Sequence, residues 1–148
     1  MPRTSAQLFC LILGWGLVLA GLAGFLADAS FDDGDPVQGD LLLGLEVNGW
    51  HNLVHLASGL LLLAGAGRVG RARLTVFVFG VAYLLIVALG LGSDEILDVV
   101  PINAADNGLH LVLTVLALGV WFRARRPDRR ESALHPSSWG VSDARPAP

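Results

Sequence analysis

The sequence predicts an all-α polytopic membrane protein, a four-transmembrane-helix bundle made of two parallel-repeat helix hairpins with both termini inside. Three observations carry this expectation. The 148-residue chain is 53% hydrophobic with a mean hydropathy of +0.60 and is only 16% charged, against about 25% charged in soluble proteins. Its charges fall in five stretches, and between them run uncharged segments, three of them about 20 residues long, the length a helix needs to cross a hydrocarbon core of about 30 Å. All ten basic residues are Arg, and none lies in the first or third connection between those segments.

The first span is expected over residues 6–27. Arg3 before it and Ala27-Asp28-Ala29 after it have the form of a signal peptide, but the apolar stretch exceeds the roughly 7–15 residues of a cleavable one. Cys10 inside it reads as a small buried side chain. Gly16, Ala20 and Gly24 form a small-xxx-small ridge suited to close helix packing in lipid. The second span is expected over 48–67 and the third over 74–93, where Ala88 and Gly92 repeat that spacing. The fourth uncharged run is short, so its helix is placed over 102–122 and takes Asp106 with it. Residues 1–122 thus form the membrane domain, and 123–148, rich in Arg, Pro, Ser and Asp, read as a disordered cytoplasmic tail.

Orientation follows from charge. Arg3, Arg68, Arg71, Arg73 and the Arg residues of the tail face one way, while Asp28, Asp32, Asp33, Asp35, Asp40, Glu46, Asp94, Glu95 and Asp98 crowd the first and third connections. The positive-inside rule places the Arg-bearing side in the cytoplasm, so the expected location is the cytoplasmic (inner) membrane, multi-pass, with acidic loops outside. The lipid bilayer is the expected partner. Arg123, Arg125 and Arg126 fix topology, with contact to anionic headgroups, worth about 1 kcal/mol per basic residue, as the further option. Nothing in the chain points to nucleic acid, a phosphate-cradling loop or a serine-nucleophile elbow. Asp32-Asp33-Gly34-Asp35 lacks the alternate spacing and closing Glu of a calcium loop.

Writing the second and fourth spans one above the other at an offset of 55 residues exposes an internal repeat. Asn48 falls on Asn103, His51 on Asp106, Asn52 on Asn107, His55 on His110 and Leu56 on Leu111. At 100° per residue Asn48, His51, Asn52, His55, Ser58 and Gly59 occupy one helical stripe about 120° wide, as do Asn103, Asp106, Asn107, His110 and Thr114, each stripe confined to the outer half of its span. Lipid is a poor environment for such stripes, so they should face each other. Asn48 and Asn103 stand where helix N-caps belong, with Asp106 in a first turn that favours a carboxylate. Glu46, Asn52 and Asn107 join the same polar network.

These two segments, Glu46-Val-Asn-Gly-Trp-His-Asn-Leu-Val-His55 and Pro101-Ile-Asn-Ala-Ala-Asp-Asn-Gly-Leu-His110, with Gly24-Phe25, resemble the family catalogued as domain of unknown function 4383. The resemblance covers residues 5–122 and implies a small four-span membrane protein, found mainly in actinobacteria, in which the Asn, His and Asp positions matter. It implies no activity.

Three functional readings remain at this point. The first is a structural or accessory membrane protein whose polar stripes hold the hairpins together. The second is a metal- or haem-binding membrane protein, redox or hydrolytic. In it His51, His55, Asp106 and His110 hold a divalent transition metal, or His55 and His110 ligate a haem from opposite sides. The third is a small-solute or proton carrier using the same histidines.

Overall fold

The computed structural model describes residues 3–33 and 36–124. Of the expected tail, residues 123 and 124 continue the last helix, while 125–148, with Arg125 and Arg126, lie outside the described residues, as do positions 34 and 35 of the acidic run. Four helices follow one another: α1 (Ser5–Ala27), α2 (Gly49–Gly65), α3 (Val69–Gly90) and α4 (Ala104–Ala124). Three of them, α1, α3 and α4, are long and apolar enough to cross a membrane. The chain is a helical membrane protein, lipid-facing on sides where Ile12, Leu19, Leu85 and Val115 are exposed.

Side-chain caps fix where α1 and α2 begin. Thr4 closes a capping box with Gln7, its hydroxyl accepting from the Gln7 N–H while the Gln7 side chain accepts from the Thr4 N–H, so two of the four orphan donors of a helix N-terminus are satisfied at once. Asn48 caps α2, its Oδ1 accepting from His51 N–H at 2.9 Å. α3 begins five residues before its expected start and takes in Arg71 and Arg73. Arg is a good helix former whose long stem lets its head reach the interface, so charge does not end the helix as it ends an apolar run.

α1 packs chiefly on α2 and α3 chiefly on α4. Between the hairpins lies a core in which Cys10, Leu62, Val76, Phe79, Leu113 and Ala117 are buried. Close approach of α1 to α2 depends on Gly14, Gly21 and Gly59, where an added Cβ would lie within 3 Å of the facing helix. The expected ridge of Gly16, Ala20 and Gly24 is corrected here. Gly16 is exposed with nothing within 4 Å, and the contact face runs through Gly14 and Gly21, seven residues or two turns apart. Ala88 is exposed and Gly92 lies beyond the end of α3, so that pair makes no ridge either.

Two features of the connections were not expected. The α1–α2 connection contains an antiparallel ribbon, β1 (Asp40–Leu42) paired with β2 (Leu45–Val47), and the α3–α4 connection a second, β3 (Glu95–Ile96) paired with β4 (Val100–Pro101). Each turns through residues of positive φ, Leu43 and Gly44 in the first and Leu97 and Asp98 in the second. The ribbons touch each other, and each reaches across to the other hairpin, β2 to α4 and β4 to α2.

Candidate functional site

At the ribbon end of the bundle the asparagines and Asp106 act as fasteners. Asn48 Nδ2 donates to the Val99 carbonyl at 2.8 Å, and Asn103 Nδ2 donates to the Gly44 carbonyl at 3.0 Å. Both donors and both acceptors are related by the same 55-residue offset. Asn103 Oδ1 accepts from the N–H groups of Ala105 and Asp106, and Asp106 Oδ2 accepts from Asn103 N–H in return, a carboxylate version of the capping box. The same Asp106 oxygen accepts from Glu46 N–H at 3.0 Å, tying α4 to the first ribbon. Glu46 Oε1 in turn accepts from Gly39 N–H at 3.2 Å.

One turn deeper, Asn52 Nδ2 donates to the Asp28 carbonyl at 2.8 Å, and its Oδ1 fills the space that a side chain at Gly24 would need. Asn107 Oδ1 is set likewise against Gly90. Outside the spans, Asp28 joins the end of α1 to the ribbon, its Oδ1 accepting from Ser30 N–H at 2.7 Å and Oδ2 from Asp40 N–H at 3.3 Å. Partial burial works against the charged carboxylate, but these donors prevail and hold its pKa below the usual 3.8.

The histidines behave differently. His51, His55 and His110 are 2%, 4% and 4% exposed, and their ring centroids lie 4.7 Å (51–55), 6.0 Å (51–110) and 6.2 Å (55–110) apart. Each offers one ring nitrogen such that the three lie within 4.8 Å of one another. His51 Nδ1, His55 Nε2 and His110 Nδ1 have no hydrogen-bond partner. The His51 ring is steadied by the backbone carbonyls of Glu46 and Pro101, the kind of outer contact that orients a ligand imidazole. Tyr83 of α3 packs its ring edge-to-face on His110 at 5.3 Å, backed by Phe79 stacked at 4.1 Å.

Of the four residues expected to form the site, the three histidines bring ring nitrogens within 4.8 Å of one another, and Asp106 lies near enough to interact electrostatically with His51 and His110. Asp106 is buried at 1% exposure but is engaged by backbone donors, and the ligand cluster found among the described residues contains the histidines alone. Tyr83 was not anticipated, since one tyrosine in an apolar run carries no spacing signal. Thr114 Oγ1, like the free oxygens of Asn52 and Asn107, is buried without a partner. Beside the cluster lies a cavity of about 170 Å³, walled by His51 and His110 and otherwise by aliphatic side chains, among them Val54, Ile86, Val100 and Ile102.

Apolar helices closed around a set of buried polar side chains define a helical membrane protein. The chain belongs to the family described as domain of unknown function (DUF4383), whose model matches residues 7–122. No curated protein and no solved structure matches it.

Proposed function

We propose that this chain is a four-span protein of the cytoplasmic membrane, built from two repeat-related hairpins, that binds a divalent transition metal through His51, His55 and His110. The observation that carries the metal is three buried imidazoles that each bring a ring nitrogen within 4.8 Å of the others and each keep a ring nitrogen that no protein group satisfies. A buried polar atom left unpaired costs about 1–3 kcal/mol, and a cation bound at the cluster would relieve those it ligates. Tetrahedral zinc with Zn–N of about 2.0–2.1 Å sets its nitrogens about 3.3 Å apart, so small ring rotations close the present spacing. Neutral imidazoles suit zinc, copper, iron or nickel rather than magnesium or calcium. Three protein ligands with a fourth position open is the pattern of reactive rather than purely structural zinc.

The fourth crossing is α2. Its 17 residues sit at the short end of the range for a span, and it lies along α1 as α4 lies along α3. The equivalent bonds of Asn48 and Asn103 support the repeat, and the distribution of Arg supports cytoplasmic termini. The asparagines and Asp106 serve the structural reading, in which polar stripes hold hairpins together; the histidines go beyond it, because each keeps one buried ring nitrogen that no such bond uses. A haem between His55 and His110 is disfavoured, since His51 stands in the same gap.

Elemental analysis of detergent-purified protein after dialysis against metal-free buffer tests the proposal. One transition-metal ion per chain is expected, or one-to-one uptake of added Zn²⁺ or Co²⁺. His55→Ala should weaken that affinity by more than the roughly 10–100-fold that loss of an outer-shell partner costs. Wild-type protein that neither contains nor takes up metal would leave the structural reading in place.

A further inference from the structure

We infer that the open position at the three histidines receives the oxygen head of a small, membrane-borne apolar molecule, whose hydrocarbon part fills the cavity beside His51 and His110. The inference rests on the metal reading above and names the class of molecule which that site takes. Apart from the two imidazoles, the walls supplied by Val54, Ile86, Val100 and Ile102 carry no side-chain hydrogen-bonding group. A sugar, nucleotide or peptide entering there would lose hydrogen bonds to water and gain none. The described Arg residues, Arg3, Arg68, Arg71, Arg73 and Arg123, lie at the opposite ends of the helices, so no cation other than the metal meets an anion.

Size narrows the class further. An apolar cavity of about 150 Å³ stays dry and holds benzene, and this one measures about 170 Å³. A phenyl ring or a short alkyl chain fits; a full-length lipid acyl chain does not. The entrance is apolar as well. Leu97, 83% exposed at the turn of the second ribbon, and Val54, 37% exposed on α2, both border the cavity, so access lies where the ribbon meets lipid. The head, a carbonyl, carboxylate or hydroxyl oxygen, is then the one polar group of the molecule, and it points at the histidines.

The test uses full-length protein in lipid nanodiscs, so that detergent does not fill the cavity, loaded with Co²⁺. Its visible spectrum reports ligands entering the fourth position. Acetohydroxamate, butyrohydroxamate and benzohydroxamate share one oxygen head and differ in hydrocarbon. Affinity should rise along the series, with benzohydroxamate at least about tenfold tighter than acetohydroxamate, the gain expected from burying a ring's worth of apolar surface. Val100→Phe, which fills the cavity, should abolish that difference while keeping one cobalt per chain; Val54→Phe does the same from α2 if the first variant loses metal. Equal affinities along the series with cobalt bound would overturn the inference and leave the metal reading standing. A wild-type protein without cobalt would overturn both.

Discussion

Asn52 shows how little freedom single residues have here. Its amide donates to the Asp28 carbonyl while its oxygen occupies the volume above Gly24, so Gly24 is required for close approach rather than for flexibility. Gly24→Ala should destabilise the protein by about 1–3 kcal/mol, the usual effect of overpacking, seen as a lower melting temperature in detergent. Asp28 gives a pH signature. Because its folded pKa lies below 3.8, its contribution to stability is present above that value and lost as pH falls through the lower folded value. Asp28→Asn should therefore flatten the acid limb of a stability profile measured between about pH 5 and 2, with the wild type falling and the variant changing less. At this scale the sequence was informative about asparagines and histidines, because polar groups in a span demand partners. It misdirected on α1, whose glycines lie on more than one face. Nothing in the spacing tells which face meets a neighbour.

The helices were legible because a bilayer imposes a length and excludes charge. Their ends were less so, as α3 shows by running through Arg71 and Arg73. The ribbons were invisible, since strands of two or three residues are too short to display an alternating pattern. The standing of α2 as a crossing helix is decided by labelling. In a Cys10→Ala background, Leu43→Cys before α2 and Arg71→Cys after it are both at exposed positions. A membrane-impermeant maleimide applied to intact cells should label position 43 but reach position 71 only after permeabilisation. Equal labelling of both positions in intact cells would mean that α2 does not cross.

Across the whole molecule, the histidines meet because two hairpins meet. His51 and His55 belong to one and His110 to the other, while Tyr83 from α3 braces the group. The matched stripes announced that meeting in the sequence. They did not announce the division of labour within it, in which backbone donors engage Asp106 while each imidazole keeps one buried nitrogen unpaired. That division depends on the ribbons, which place the Glu46 N–H within reach of a side chain 60 residues away.

The crossed clasp has a bearing on biogenesis. Asn48 grips a carbonyl 51 residues downstream, and Asn103 grips one 59 residues upstream. A ribosome that has released only the first two helices has therefore made two imidazoles and half of each latch. The third imidazole and the other half of each latch arrive together, with delivery of the last helix, so a truncated or stalled chain lacks the assembled cluster.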